Sequence, residues 1–477
     1  MTSNSAAIWH HVDEHAATFK QLADAVWETP EINYTEFRSA ATHKAELERQ
    51  GFHVTTGLAG IPTAVMGEAG EGGPVIAILG EYDALTGLSQ EAGVAEPKPR
   101  PGEAAGHGCG HNLLGAAAML AATAVRDWLR ERGIAGRVRY YGCPAEEGGA
   151  AKAFMARDGV FSDVDVAISW HPSHFAGVTR AESLAMTVLD VTWSGRASHA
   201  AASPHLGRSA LDAAELTSVG LNYLREHVPA SARMHYAYLD AGGIAPDVVQ
   251  ATSTVRYVIR AADIATMQGL VARVRRIAEG AALMTETSVA MHVASGMSNL
   301  LGNDVLEQVM HANLERLGPP AFDAADLAYA QRFRDTLTRA DIDAAYAPHG
   351  IKPTGAVLAD SILPLNTRGE GGLGSTDVGD VSWVVPTVQT WGATCAIGTP
   401  FHSWQFTGQG KAPAAHKGMI HAAKAMAGTA VELLGDPALI ARAKDAFRER
   451  LGGQSYECPI PPETKPPVSP APTSAAA

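Results

Sequence analysis

The sequence predicts an α/β fold built on a mostly parallel sheet, with a separate α+β insert. Three observations carry this. Continuous apolar runs such as Val75–Leu79 (VIAIL) read as strands buried on both faces, and they alternate with segments of helical spacing as βαβ units do. Acids, a cysteine and histidines gather just past the ends of those runs, where open α/β sheets bind ligands. Between residues 183 and 297 the strands instead alternate apolar with polar, and the order β, α, β, α, β marks an insert.

Composition bounds the reading. At 477 residues the chain exceeds one ordinary core and is expected to form two or three domains. With 46% hydrophobic and 18% charged residues it is a soluble globular chain rather than a disordered or fibrous one. A net charge of −13 argues against nucleic acid and anionic membrane as partners, so an anionic substrate would need a local arginine. Cys109, Cys143, Cys395 and Cys458 are widely spaced and form no CxxC pair, which points to a reducing, cytoplasmic compartment. No basic leader with an apolar core and no run of about eighteen apolar residues is present, so neither export nor a membrane span is expected.

In chain order, helices are expected at Ile8–Val26 and Ala40–Gln50, joined by a proline-marked turn, WETPEINYTEF. The strand Val75–Leu79 runs into GEYDAL, which sets Glu81 and Asp83 at its end. Ser89–Gly106 is loop by composition and leads to GHGCGHNLLG, residues 106–115. An Ala/Leu helix over Leu113–Arg132, stopped by Gly133, precedes a strand at Arg137–Cys143. PAEEGGA then places Glu146 and Glu147 ahead of a helix from about Ala151, and a strand at Val164–Ser169 leads to His171 and His174. The insert is read as a strand at Ser183–Ser194, a helix at Gly207–His227, a strand at Thr252–Ala261, a helix at Ala262–Leu283 and a strand at Ser288–Ala294. Helical texture returns through Leu337, and Glu370–Val385 reads as a Gly-rich turn entering a strand. His402 follows within GTPFHSWQF, then a helix at Lys411–Leu434 and a Pro-rich end whose Tyr456–Pro467 stretch is expected along the surface.

Cys109 and His111 are two apart among glycines, so both side chains can face one point. A thiolate beside an imidazole is a metal-ligand pair, and a Gly-rich turn with a buried cysteine and a helix-capping Asn112 explains the stretch equally well. Glu146 and Glu147 lie between a strand and a Gly-Gly turn, where one carboxylate can bind a metal and its neighbour can face the reacting water. His199 and His205 occupy a polar loop of the insert and by themselves read as surface histidines. Arg256 and Arg260 share one face of a strand, suited to salt bridges or to gripping a carboxylate.

Seven motifs occur in order between about Trp27 and Pro467: GEYDALTGLSQ, GHGCGHNLLG, PAEEGGAAKAFM, WHPS, ASHAAASPHLGRSALDA, GSTDVGDVSW and GTPFHSWQ. Each alone is weak, but together they resemble the dinuclear metal amidohydrolases related to p-aminobenzoyl-glutamate hydrolase, a superfamily that includes aminoacylases, auxin-conjugate hydrolases and glutamate-releasing carboxypeptidases. The resemblance implies a metallo-exopeptidase-like catalytic domain formed by residues 1–182 and 298–477, and a lid and dimerisation domain at 183–297. It implies that Cys109, His111, Glu147, His171 and His402 hold two divalent ions, with Cys109 as the bridge. Glu146 matches the general base, and Asp83 the carboxylate behind a ligand. His199 matches a histidine that reaches a dimer partner's active site to stabilise the oxyanion. Arg260 matches a lid arginine for the substrate carboxylate, and His205, Asp247 and Asp377 fall on the substrate side.

Two departures qualify the match. Asn112 follows the CGH triplet where much of the superfamily has an acid, which favours the aminobenzoyl-glutamate branch. Asp247 stands where asparagine is usual, and its charge would disfavour a glutamate-like carboxylate. The expected activity is hydrolysis of an N-aroyl or N-acyl amino acid by a homodimer using zinc or manganese, with cobalt or nickel also suited to the mixed ligands. The alternatives are an arylamine aminohydrolase or a carbamate or xenobiotic amide hydrolase on the same metals; a non-catalytic binding protein is disfavoured because no ligand or base is lost.

Overall fold

Strand Val75–Glu81 is buried along its whole length and lies inside a six-stranded sheet. The structure, a computed structural model, describes residues 2–178, 181–365, 367, 369 and 374–470. Across the sheet the strands are His53–Thr56, Val65–Glu71, Gly136–Cys143, Val75–Glu81, Val166–Ser173 and Thr387–Ala393. The last four run parallel, and the first two add an antiparallel edge. Successive side chains of a strand face opposite layers, and Val75–Glu81 obeys this. Ile76 and Ile78 join the core beneath one set of helices, whereas Ala77 and Leu79 join the core on the other side.

On the first face the helices Thr2–Trp27, His111–Arg132 and Pro413–Gly435 pack against one another. Every residue from His111 to Val125 is buried, and the many alanines there let the flanking helices approach closely. Gly115 marks the tightest approach: a Cβ there would lie 2.5 Å from the Glu81 carbonyl oxygen and 2.6 Å from the His43 ring. The other face carries the short helices Ala151–Arg157 and Val378–Ser382, with Phe154, Phe161 and Ile460 between them and the sheet.

A second sheet is antiparallel, with strands in the order Ser288–Met297, Ala185–Ser194, Thr252–Ala261 and Arg233–Asp240. Helices Ala210–Leu224 and Ile264–Thr285 cover one face of it. The strand Arg233–Asp240 (RMHYAYLD) is absent from the sequence expectation because most of its residues are exposed and carry no buried pattern to read.

Three other differences are informative. The region expected to enter a strand by Val385 forms the helix Val378–Ser382, and the strand begins only at Thr387. The helical turn points Asp380 and Ser382 inward, where Ser298 Oγ donates to Asp380 (2.6 Å) and the Leu301 amide to Ser382 Oγ (2.8 Å). Residues 370–373 of that segment lie outside the described residues. Helix Pro437–Leu451, also unexpected, has an Asp436 cap, a first-turn proline and a left-handed Gly452 at its end. Finally, the Pro-rich end lies along the surface as expected but is anchored there as far as Thr464. Ile460 and Thr464 are buried, Tyr456 OH donates to Asp380 (2.9 Å), and Arg157 Nη1 donates to the Pro461 and Thr464 carbonyls. Residues 471–477 lie outside the described residues.

Candidate metal centre

The C-terminal edge of the parallel strands brings the titratable motifs together. Gly110 adopts a left-handed conformation (φ 79°) that turns the chain between Cys109 and the first helical residue, His111. A Cβ at Gly110 would meet Phe406 and Pro172 at 3.0 Å, so glycine is required for both conformation and space. His111 Nδ1 lies 2.9 Å from Asp83 Oδ1, while Asp83 Oδ2 accepts the Glu147 amide at 2.9 Å. One carboxylate thus orients an imidazole and ties down the PAEEGG loop. His171 lies on its strand rather than past its end; its Nδ1 is 2.8 Å from the Pro172 carbonyl and its Nε2 3.4 Å from Cys109 Sγ. His402 is held in a left-handed conformation (φ 56°) with its amide donating to the Gly108 carbonyl, and its Nε2 is 3.4 Å from Glu147 Oε2. Its side chain is 53% exposed, which puts it at the mouth of the site.

Two sets of possible ligands share Cys109. Cys109, His111 and His171 form one, and Cys109, Glu147 and His402 the other, with ligand atoms within 4.8 Å of one another in each. A third set, Glu81, His111 and Glu146, overlaps the first at His111. Among the described residues Glu81 Oε2, His111 Nε2 and Glu147 Oε1 are buried without a hydrogen-bond partner. A buried unpaired polar group costs about 1–3 kcal/mol, so their convergence fits a cation.

The electrostatics agree. Burial pushes the Glu146 carboxyl well above its usual range, and Glu81, Glu147 and Asp377 add to the push. Burial acts likewise on Glu147, but His402 and His111 overcome it and hold that carboxylate low. Burial, reinforced by His111, lowers His171 to about 4 and keeps it a neutral ligand-type imidazole.

Other expected residues fall elsewhere. Asp377 is fully buried, with its oxygens committed to the Lys152 ammonium and amide, so it faces protein rather than a substrate. His107 turns away from the centre to the Val26 carbonyl (3.1 Å), and Asn112 donates to the Ala23 and Gly410 carbonyls. The exposed residues His199 and Asp247 lie in two different connections of the second sheet that pair with each other: the Ala200 amide donates to the Asp247 carbonyl (2.9 Å) and His199 pairs with Val248. His199 Nδ1 accepts the Ala201 and Ala202 amides at 3.2 Å, leaving Nε2 as the outward N–H. His205 is exposed in the turn Pro204–Leu206. Arg256 makes a bidentate pair with Asp190, whereas Arg260 has a buried Nε without a partner among the described residues. Among those residues, no hydrogen bond or ion pair joins His199, His205, Asp247 or Arg260 to the metal centre.

Several supporting residues escaped sequence reasoning. Asn33 Nδ2 donates to the Glu147 carbonyl (2.5 Å), Tyr34 OH to the Gly149 carbonyl (2.6 Å), and Glu36 Oε1 accepts the Ala145 amide (2.9 Å). The stretch NYTE is thus the clamp on the Glu146–Glu147 loop. Its only signal was a cluster of polar and aromatic residues where a plain turn needs none.

A mixed S/N/O ligand cluster at the end of a parallel sheet, open only at His402 and with the buried Glu146 carboxyl beside it, is the site of a metallohydrolase-type enzyme. Residues 77–466 match the model of peptidase family M20/M25/M40, and the chain belongs to that family. It is 46% identical, over 94% of its length and 95% of the relative's, to a p-aminobenzoyl-glutamate hydrolase subunit of Escherichia coli. It is 28% identical to the Xaa-Arg dipeptidase of Mus musculus, covering 92% of this chain and 91% of that one. A dinuclear metal-binding peptidase of family M20 from Bacillus subtilis has the same fold at a TM-score of 0.56 and 17% identity, covering 89% and 99% of the two chains. The chain is therefore a hydrolase of metallopeptidase type, and among the described residues no helix is long and apolar enough to cross a membrane.

Proposed function

We propose that the enzyme hydrolyses the amide bond of N-aroyl or N-acyl amino acids of the p-aminobenzoyl-glutamate type, the substrate named for its 46%-identical relative. The observation that carries the proposal is the pair of ligand sets sharing Cys109, with Glu146 buried beside Glu147. Cys109, His111, His171, Glu147 and His402 hold two divalent ions, zinc or manganese, with cobalt or nickel also accommodated by these donors. When bound, the ions supply Lewis acidity, polarising the scissile carbonyl and acidifying the attacking water. Glu146 takes that water's proton and delivers it to the leaving amine, a role suited to its raised pKa. Asp83 fixes the His111 tautomer.

The aroyl preference has physical support: the Phe401 ring, 38% exposed, packs edge-on to His171 at 5.9 Å and stacks on Phe406 at 5.2 Å. The half-buried Arg260, with no carboxylate partner among the described residues, is available for the substrate carboxylate. A homodimer through the second sheet brings His199 to the partner's centre, where its outward Nε2–H meets the oxyanion. Supporting that dimer, the edge strand Arg233–Asp240 carries exposed Tyr236 and Tyr238, and the helix Ala210–Leu224 carries exposed Leu216, Val219 and Tyr223. A cytoplasmic location agrees with four free thiols.

The test is hydrolysis of a panel of N-aroyl and N-acyl amino acids by enzyme loaded with manganese or zinc, scoring released amino acid. Release that stops with chelator and in Glu146→Ala, whose metal content stays at two ions, is expected. No release from any member with two ions bound would sink the reading and point to an arylamine or carbamate substrate.

A further inference from the structure

Behind the metal centre lies a buried chain of three charges that the mechanism above does not use. Lys152, Glu81 and Asp377 all have fully or almost fully buried side chains. Lys152 Nζ lies 2.7 Å from Glu81 Oε1 and 2.5 Å from Asp377 Oδ1, and its amide donates to Asp377 Oδ2 at 2.9 Å. Glu81 Oε1 is thereby committed to the ammonium. Its other oxygen, Oε2, is buried without a hydrogen-bond partner among the described residues and lies 3.4 Å from His111 Nε2.

Glu81, His111 and Glu146 form a buried group whose ligand atoms all lie within 4.8 Å of one another, so Oε2 and the unpartnered His111 Nε2 point into one space. Buried polar atoms left without hydrogen bonds are costly, and a cation between them satisfies both. Resting on the two-metal reading, we infer that Glu81 Oε2 is a further ligand of the ion held by His111, and that Lys152 and Asp377 are positioning residues that aim it. The arithmetic of charge supports this: one ammonium between two carboxylates leaves the trio at −1, a full carboxylate charge available to the ion. The added oxygen also has a consequence for metal choice. It raises the coordination number of a Cys/His site and makes it harder, which benefits manganese more than four-coordinate zinc.

The experiment is a chelator-competition titration of manganese and of zinc, with manganese EPR, on the full-length enzyme and on Glu81→Gln, Lys152→Met and the double variant. Glu81→Gln keeps the shape but replaces the carboxylate charge with a neutral amide. At least a tenfold loss of manganese affinity, a smaller loss for zinc and an altered EPR spectrum are expected. Lys152→Met should lose manganese affinity too, and the double variant should bind no worse than Glu81→Gln, because lysine acts through Glu81. Wild-type manganese affinity and spectrum in Glu81→Gln would overturn the assignment while leaving the two-metal reading intact. A wild-type enzyme that binds neither ion would overturn both. Should Lys152→Met fail to fold, the isosteric Glu81→Gln alone decides.

Discussion

Replacing Asp83 by asparagine separates charge from shape at a contact that serves both a ligand and the Glu146–Glu147 loop. In the native enzyme Oδ1 lies 2.9 Å from His111 Nδ1 and Oδ2 accepts the Glu147 amide at 2.9 Å. Asparagine has one acceptor for two donors. If its oxygen keeps the Glu147 amide, its NH2 faces Nδ1–H, and the imidazole relieves the clash by moving its proton to Nε2. Nε2 then ceases to be a ligand. The lost charge-assisted bond is worth about 1.5–3 kcal/mol, and groups behind a metal ligand typically account for about 10–100-fold in metal affinity or activity. Asp83→Ala removes the carboxylate without forcing the tautomer. It leaves the half-buried Glu147 amide unpaired, so alanine should cost more stability, and asparagine more metal affinity. The assay pairs chelator-competition titration with urea unfolding of both variants. Metal affinity of Asp83→Asn within twofold of wild type would refute the reasoning.

Other expectations follow from particular contacts. Gly115→Ala should destabilise by about 1–3 kcal/mol on chemical denaturation, because its Cβ would lie 2.5 Å from the Glu81 carbonyl oxygen and backbone must move. Wild-type stability would mean that the helix and strand separate freely. Burial lowers His43 to about 3 from an unfolded value near 6.5, so the stability linked to its neutral form is complete above pH 6.5 and is lost as pH falls. Between pH 6.5 and pH 5 its share is about 2 kcal/mol, and His43→Gln, which keeps an acceptor for Tyr140, should remove that share from the pH dependence of urea unfolding; an unchanged slope would show otherwise. Tyr223→Asp, at a position 75% exposed, should convert the proposed dimer to monomers in sedimentation and lower turnover through loss of the proposed His199 contact across the interface. A fully active monomer would remove that role from His199.

Much of the fold was legible because burial leaves a pattern. Val75–Leu79 reads as a strand buried on both faces, and the structure extends it to Glu81. The strand Thr252–Ala261 agrees residue for residue, since its apolar positions alternate. The exposed edge strand Arg233–Asp240 and the inward-turned helix Val378–Ser382 were not legible. The first buries little that could be patterned, and the second is set by partners far along the chain, Ser298 and Leu301. Asp377 illustrates the same limit at the site, where a residue in a recognisable motif proves to serve Lys152.

The amino-acid sequence by itself determined the chemical inventory: thiol, imidazoles and carboxylates at the ends of apolar strands, glycines where the backbone must turn, and the family pattern they make together. Tertiary structure alone decided which atoms of that inventory meet. Glu81 and Lys152 are 71 residues apart in sequence and become an ion pair only because the helix Ala151–Arg157 packs on the face of the sheet beside Val75–Glu81. Asn33, Tyr34 and Glu36 likewise reach the loop at 145–149 across more than a hundred residues. Local patterns record which side of an element is dry. They do not record which distant lone pair a buried charge will face, because that depends on how several layers pack at once.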